Sequence, residues 1–351
     1  MYDDATSSYA AYIRIDRRET DDNPHAGNVS CPGPNEFKYI KRRIGRCDLA
    51  DLSKPWTCNQ STAKMVLSFD RFDPVCFDLY SSAATKYEGR YLFFPSAFGH
   101  TVYTGDDGVL DVRIASSRSG VNASYPPARN GRAPFVSLEI DTCQKRRRST
   151  VNPANLSWCD GTQPGSLAHT SAGTSMLWMA AGFVTTDMHH QLYYSAQPFT
   201  HGEVAPASSG ANNTGIRRAE LRKDGFVSVN AGYSFPLLDG TAELDIASLP
   251  WFETVPLQPP ACAHGHAAAL RLNYVSSAVG LLFAELRSGG AAFEAGYAMR
   301  SSDPMRGNAL WRKATWGGGK RWALPAGGAL RVRVAMTDAQ LFSLTLVCEA
   351  Q

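Results

Sequence analysis

An aromatic stretch that occurs twice narrows the possible folds more than anything else in this sequence. Tyr91–His100 (YLFFPSAFGH) and Leu192–His201 (LYYSAQPFTH) align without gaps, share aromatic residues at two positions, and both end in histidine. A shorter version, Tyr9–Arg14 (YAAYIR), begins in the same way and ends in arginine. Repeats of roughly 70 to 100 residues built from short strands are typical of β-propeller blades with insertions. An irregular β-sandwich with unrelated aromatic runs is the alternative.

The segment Ile216–Gly232 (IRRAELRKDGFVSVNAG) separates two parts of the chain with different composition. Aromatic strand patterns and polar, cysteine-bearing loops precede it, whereas the sequence after it is rich in Gly and Ala and poor in candidate chemistry. Within the segment, apolar and polar residues alternate around Phe226–Val229 between two turn sequences, which predicts a strand. We therefore expect two β-domains, residues 1–224 and 225–351, with the functional site in the first.

Composition excludes several classes of function. The chain has 351 residues and a formal net charge of +3, which is too small to indicate a nucleic-acid partner. No apolar run approaches the length that spans a bilayer, so no membrane span is expected. The basic run Lys145–Arg148 is interpreted as a solvated loop.

The cysteines and asparagines indicate the secretory pathway. Eight cysteines lack any Cys-x-x-Cys pair, which favours disulfides over zinc ligation. We expect at least one bridge among Cys31, Cys47 and Cys58, and a second between Cys143 and Cys159. Five Asn-x-Ser/Thr motifs precede residue 215 and predict a secreted glycoprotein: Asn28, Asn59, Asn122, Asn155 and Asn212. The first residues lack the features of a signal peptide, so we expect the natural start to lie upstream.

Several segments together resemble a known family. RRIGRCDLADLSKPW, SFDRFDPVCFDLY, YEGRYLFFPSAFGH, RIASSRSGVN and GIRRAELRKDGFVSVNAG are similar to proteins related to glycoside hydrolase family 32, in clan J. The resemblance implies an all-β chain, a partial five-bladed β-propeller followed by a C-terminal β-sandwich. Only about three blades fit before residue 224, so the blades that would supply the nucleophilic Asp are expected to be missing. Such a chain is a fragment, or it associates with a partner that covers its open blade edges.

Catalytic candidates come from the acidic segment SFDRFDPVCFDLY. Retaining glycosidases use two carboxylates about 5 to 5.5 Å apart, one as nucleophile and one as acid/base. We predict Asp73 and Asp78 as catalytic residues and Asp70 as a substrate-binding residue. The alternative is a turn in which these carboxylates cap backbone N–H groups around Pro74.

Three further residues are predicted to bind substrate. Arg14, His100 and His201 end the three versions of the aromatic stretch. Equivalent strand ends of successive blades gather at one mouth of a propeller, where imidazole and guanidinium groups can hydrogen-bond sugar hydroxyls. Surface or core filling for the histidines, and ordinary ion pairing for the arginine, are the alternatives.

No metal or cofactor is expected. His189-His190 and His264-Gly265-His266 lack carboxylates at metal-ligand spacing, and no nucleophile-elbow motif is present. The sequence therefore supports two hypotheses of different class. One is a secreted glycoside hydrolase acting on an oligo- or polysaccharide, and the other is a non-catalytic carbohydrate-binding or structural module. Sugar, linkage and stereochemistry are left open.

Overall fold

The chain is represented by a computed structural model in which two units are distinguished. Unit 1 comprises Met1–Val184 and Gln191–Glu220, and unit 2 comprises Thr185–His190 and Leu221–Gln351. The structure describes residues 1–18, 40–68, 73, 77–100, 108–126, 133–136, 176–197, 201, 215–233, 245–288, 296–325 and 328–350.

The first sheet of unit 1 is a four-stranded antiparallel meander. Its strands are β1 (Tyr2–Asp3), β2 (Ser8–Arg18), β3 (Ile40–Leu49) and β4 (Lys64–Leu67), hydrogen-bonded in that order. The pairing of β2 with β3 is continuous from Tyr9↔Leu49 to Arg18↔Ile40. This register places Asp16 directly opposite Arg42, so that the two side chains emerge on the same face of the sheet.

The second sheet contains eight strands, most of whose residues belong to unit 1. They are β5 (Phe77–Tyr87), β6 (Arg90–His100), β7 (Gly108–Val112), β8 (Ala115–Ser117), β9 (Met176–Met179), β10 (Val184–Thr185), β11 (His189–Gln197) and β12 (Gly215–Arg222). The main order is β10-β11-β9-β7-β6-β5, with β12 on β11 and β8 on β6. A single parallel pair, Leu110↔Met176, joins β7 to β9, a junction that the repeat does not predict.

Aromatic side chains explain why β6 is an inner strand of this sheet, flanked by β5 on one side and by β7 and β8 on the other. Phe93, Phe94 and Phe98 are at most 1% exposed, because residues on both faces of β6 are covered. Burying side chains of this size contributes about 1.5–3 kcal/mol each. The aromatic residues that define the repeat in β6 are therefore mainly core residues.

A disulfide fixes the loop between β3 and β4. Cys47 and Cys58 are bonded, with their Cα atoms 5.7 Å apart. This confirms the expected bridge among Cys31, Cys47 and Cys58. Cys143 and Cys159 lie outside the described residues.

Unit 2 is built on two long paired strands. Its strands are β13 (Val229–Ala231), β14 (Trp251–Glu253), β15 (His266–Ser288), β16 (Asn308–Lys313) and β17 (Leu330–Ala350), in the order β13-β17-β15-β16, with β14 also on β17. Two single-turn 3-10 helices, Ile246–Ser248 and Met299–Ser301, are the helices that the described residues contain. A disulfide joins Cys262 to Cys348 at one end of the sheet.

The long pair bends at an irregularity that encloses the core. The register of β15 and β17 shifts between Ser276 and Leu281. A Cβ atom on Gly280 would lie 2.2 Å from the carbonyl oxygen of Asp338, so the close approach of the two backbones requires glycine. Residues on both sides of the bend, including Leu272 and Ala284, belong to one apolar cluster around Trp316.

The all-β class predicted from the sequence is confirmed, and the curled sheets are consistent with a partial propeller followed by a sandwich. The strand expected around Phe226–Val229 begins only at Val229, because residues 223–226 form a turn. His190 of unit 2 organises that turn. Its Nε2 accepts the backbone N–H of Asp224 at 3.1 Å, and its ring stacks on Phe226.

Candidate functional site

A bulge in β5 places Tyr80 at the centre of the candidate site. Leu79 pairs with Ala97 and Ser81 pairs with Ser96, so Tyr80 is the extra residue between two consecutive pairs. A bulge re-aims a side chain and increases the local twist. The Tyr80 ring packs edge-on against Phe98 of β6, with a centroid separation of 5.7 Å.

Two arginines from the first sheet lie over this ring. The guanidinium carbon of Arg42 is 5.1 Å from the Tyr80 centroid and 5.1 Å from the Phe98 centroid. Arg14 lies 5.4 Å from the Tyr80 centroid. Cation–π attraction of this kind contributes about 0.5–1 kcal/mol when exposed and more when desolvated.

Asp78 and His201 complete the arrangement, which we call the Tyr80 cluster: Arg14, Arg42, Asp78, Tyr80, Phe98 and His201. An oxygen of the buried Asp78 carboxylate lies 3.8 Å from Arg42 Nη1. His201 Nε2 lies 3.0 Å from the Tyr80 hydroxyl, and its ring contacts Tyr80 and Phe98. The backbone N–H of His201 donates to the Gly108 carbonyl, which ties the residue to β7.

The Tyr80 cluster grades from buried to solvent-exposed. The Asp78 side chain is 2% exposed and that of Arg42 is 13% exposed, whereas that of Arg14 is 38% exposed. Tyr80 and His201 are half-buried. A ligand arriving at Arg14 would therefore meet donors and an aromatic ring before it reached the carboxylate.

Asp16 also lies in this region, although it was not predicted from the sequence as a site residue. Its carboxylate lies 3.4 Å from Arg14 Nε, and it stands opposite Arg42 in the strand register. The alternation Arg14-Ile15-Asp16, with Ile15 fully buried, is the sequence signal that could have found it.

Asp73 belongs to a different cluster. It pairs with Arg113 at 3.2 Å, and Arg113 also contacts Asp111 at 3.2 Å and lies over the Phe77 ring. Burial raises the pKa of Asp111, against the opposing effect of the Arg113 guanidinium. The role of Arg113 as a partner shared by two carboxylates was not predicted from the sequence.

The two predicted catalytic carboxylates lie on opposite faces of the sheet. Asp78, Phe98 and Leu110 are cross-strand partners and share one face. Asp111, next to Leu110 in β7, points to the other face because side chains alternate along a strand. Asp73 reaches that second face through Arg113.

Three of the six predicted site residues thus belong to the Tyr80 cluster: Arg14 and His201 contact the Tyr80 ring, and Asp78 contacts Arg42 over that ring. Asp73 is held elsewhere, Asp70 lies outside the described residues, and the His100 side chain is not described. The His100 backbone pairs with Gly108, the residue that also accepts the His201 N–H. Both predicted histidines are therefore fixed at the same end of β7.

A third polar cluster in unit 1 is buried. Arg46 Nη2 donates to Asp3 at 2.6 Å and its Nε donates to Asp48 at 2.6 Å, while the Tyr91 hydroxyl also donates to Asp3. Burial by itself raises the pKa of Asp3, but the hydrogen bonds from Tyr91 and Arg46 outweigh it and lower that pKa to about 2. Burial raises the pKa of Tyr12, which also contacts Arg46, to about 12. Carboxylate and phenol are thus fixed in opposite protonation states.

The described part of the chain contains no group of three or more His, Cys, Asp or Glu side chains that could hold a metal ion. None of its helices has the length and apolar character needed to cross a bilayer.

Comparison with known proteins gives weak likenesses. No family model and no curated protein matches the sequence. An N-acetylgalactosamine deacetylase from F. plautii, solved with blood group B trisaccharide, is 12% identical with a TM-score of 0.32. The match covers 64% of this chain and 49% of that one, so this chain spans about half its length.

Two solved structures of a Bombyx mori GH32 β-fructofuranosidase are also similar. The enzyme itself is 9% identical over 97% of this chain and 76% of that chain, with a TM-score of 0.26. A mutant in complex with sucrose is 10% identical over 96% and 76%, with a TM-score of 0.23. TM-scores this low do not establish a shared fold. The geometry of the Tyr80 cluster is therefore the basis on which a function can be proposed.

Proposed function

We propose that the chain is a glycoside hydrolase-like protein that binds an oligo- or polysaccharide at the Tyr80 cluster. One observation carries the proposal: Arg14 and His201, predicted from sequence to bind substrate, contact the half-buried Tyr80 ring, and Asp78, predicted to be catalytic, lies beside Arg42 over the same ring. Secretion and the assignment of residues 1–224 to propeller blades and 225–351 to a sandwich belong to the same proposal.

The chemistry of a sugar fits this arrangement. A pyranose or furanose presents C–H groups that pack on an aromatic face, with hydroxyls around its rim that both donate and accept hydrogen bonds. Arg14 and Arg42 supply fixed N–H donors, and Asp78 supplies a carboxylate acceptor. A small number of placed polar groups around an aromatic surface is the usual form of a small-molecule site.

Hydrolysis is the finer part of the proposal. Asp78 would act as the acid/base or nucleophile, because it is the buried carboxylate of the Tyr80 cluster and lies beside Arg42. A retaining or inverting mechanism needs a second carboxylate within about 10 Å of the first. Asp16, which forms an ion pair with Arg14 beside the Tyr80 cluster, is a candidate.

A non-catalytic carbohydrate-binding module is the second candidate function. The placement of Asp73 and Asp78 on opposite faces of β5–β7 favours it, because two catalytic carboxylates must flank the same bond. In this case the Tyr80 cluster binds sugar and performs no turnover.

Binding of fructan and arabinan oligosaccharides to the full chain, measured by titration calorimetry, tests the proposal. Tyr80→Ala is expected to weaken binding at least tenfold, or about 1.4 kcal/mol. Tyr80→Phe keeps the ring, loses only the bond to His201, and should weaken binding severalfold at most. Trp251→Ala, which removes an exposed aromatic of unit 2, is the matched control and should leave binding unchanged. Equal affinity in wild type and Tyr80→Ala would overturn the site.

Turnover of the same oligosaccharides separates the two candidate functions. If the chain hydrolyses them, Asp78→Asn should lower kcat by orders of magnitude, whereas Asp73→Asn should leave kcat within tenfold, because Asp73 faces away from the cluster. Binding without any product would assign the non-catalytic function.

A further inference from the structure

Asn59 lies in an exposed loop beside a disulfide. The loop runs from the end of β3 to the start of β4, and Asn59 follows the bridged Cys58 directly. Asn59, Gln60 and Ser61 are all exposed. A bulky group attached to this asparagine would therefore not displace any packed side chain.

The Asn59 side chain forms a local turn with the serine two residues later. Its Oδ1 accepts the Ser61 backbone N–H at 2.9 Å and the Ser61 hydroxyl at 2.6 Å, and it also accepts the Thr62 N–H at 3.2 Å. All of these partners donate to the amide oxygen, and none of the described hydrogen bonds involves the amide NH2 group of Asn59. This is an Asx-turn, a form that Asn adopts readily.

These contacts make the Asn-x-Ser motif part of a local turn. Each one joins residues at most three positions apart, so the turn can form before the rest of the sheet assembles. The Ser61 hydroxyl donates a hydrogen bond to the amide oxygen of Asn59 and withdraws electron density from the amide group. This makes the amide nitrogen of Asn59 easier to deprotonate. Acceptor geometry is thus built into four consecutive residues.

The motif at Asn122 shows what is different about Asn59. Asn122 is also exposed, but its backbone is left-handed, with φ of 54°. The backbone of Ser124 exchanges two hydrogen bonds with Ser116, eight positions earlier. Among the described contacts, no hydrogen bond joins the Ser124 hydroxyl to the Asn122 amide. The conformation at Asn122 therefore depends on pairing that only the assembled strands provide.

The disulfides are an independent observation that points to the same compartment. Cys47–Cys58 and Cys262–Cys348 lie in different units, and such bonds form and persist in oxidising environments such as the endoplasmic reticulum lumen. Asparagine-linked glycans are added in that compartment.

We propose that Asn59 is an N-linked glycan acceptor and is occupied in preference to Asn122. The co-reactant is an oligosaccharide linked to a lipid pyrophosphate. Asn59 Nδ2 forms a bond to the anomeric carbon of the oligosaccharide, and the bond from that carbon to the pyrophosphate oxygen breaks. The lipid pyrophosphate leaves with the electron pair, and the amide loses one proton to a base of the transferase. This modification is independent of the sugar-binding function proposed for the Tyr80 cluster.

The experiment is synthesis of the full chain behind a cleavable secretory leader in the presence of endoplasmic reticulum microsomes. Site occupancy is read by mass spectrometry as the conversion of each glycosylated Asn to Asp by a peptide amidase. Asn59 occupancy is expected to exceed Asn122 occupancy severalfold. Asn59→Gln and Ser61→Ala should each lose the glycan at this site, and Ser61→Thr, which keeps a hydroxyl, should retain it.

Asn122→Gln is the matched control and should leave Asn59 occupancy unchanged. An Asn59 that stays unmodified, whether or not other motifs are occupied, would overturn the proposal. Retention of the glycan in Ser61→Ala, or greater occupancy at Asn122, would refute the role given to the local turn.

Discussion

The two units bury charged side chains to different extents. Unit 1 buries the charged groups of Asp3, Arg46, Asp78 and Arg113, each at most 4% exposed. In the described part of unit 2, Glu285 is buried in the same way, but the principal core is an apolar cluster around Trp316. Removing a charge from water costs several kcal/mol, so it persists only where partners and geometry compensate. Unit 1 therefore holds buried charged groups in place through ion pairs and hydrogen bonds, whereas the core of unit 2 is stabilised mainly by apolar burial.

The largest expected effect is in unit 2. Trp316 is fully buried, and its indole N–H donates to the Ala284 carbonyl at 2.9 Å. Trp316→Ala leaves a cavity and an unsatisfied carbonyl, and should lower the free energy of unfolding by about 4 kcal/mol. Hydrogen exchange of β15 and β17 measures it. Trp311→Ala, at an exposed position, is the control, and a loss as small as the control's would show that this core is loosely packed.

The next effect is in unit 1. Asp3→Asn leaves the buried Arg46 guanidinium short of one carboxylate and should cost about 3 kcal/mol, because breaking a buried pair exposes the surviving charge to a low dielectric. Asp4→Asn, whose exposed carboxylate contacts Lys86, should cost less than about 1 kcal/mol. Hydrogen exchange of β2 and β3 compares them, and equal losses would contradict the special cost of burial in unit 1.

Acid should act on unit 1 through the same residue. The pKa of Asp3 is lowered from 3.8 to about 2, so the folded state binds this proton less readily than the unfolded state. Stability from Asp3 is fully present above about pH 4 and is lost as pH falls towards 2, by about 2 kcal/mol in all. Urea unfolding of wild type and Asp3→Asn between pH 5 and 2 isolates it. The difference between the two proteins should shrink across that window; a constant difference would exclude the linkage.

The smallest effect is a titration in unit 2. Burial lowers the pKa of His190, whose ring accepts a backbone N–H and must be neutral to do so. Stability from this group is present above about pH 6.5 and is lost as pH falls through its lowered pKa, by at most about 1.4 kcal/mol per pH unit. Unfolding between pH 7.5 and 5 should show this slope in wild type and in His189→Gln. The slope should be absent in His190→Gln, and its persistence there would assign it to another group.

Local patterns in the sequence predicted much of the fold. The aromatic run Tyr91–His100 lies in β6, and residues 192–197 of the second run lie in β11, because short runs rich in aromatic residues are typical of buried strands. The β-bulge at Tyr80 was not predicted from the sequence. A bulge depends on which strand lies opposite, and the sequence of β5 alone carries no record of that choice.

The candidate site was predicted only in part for the same reason. Arg14, Asp78 and His201 were found because each occupies the end of a strand pattern or an acidic motif. Asp16 and Arg42 were missed, since their relation is a cross-strand pair between segments whose pairing had not been assigned. Asp73 looked equivalent to Asp78 in the motif, and only the tertiary contact of Asp73 with Arg113 separates them.

The sequence by itself determined the all-β class, the strands marked by aromatic runs, and a disulfide among nearby cysteines, because these depend on local side-chain pattern and short chain separation. Tertiary structure alone decided which charges meet. Arg46 reaches Asp3 across 43 positions, and His201 reaches Tyr80 across 121. Contacts at such separations follow from the order of strands in a sheet. That order forms only when distant segments come together, which costs loop-closure entropy.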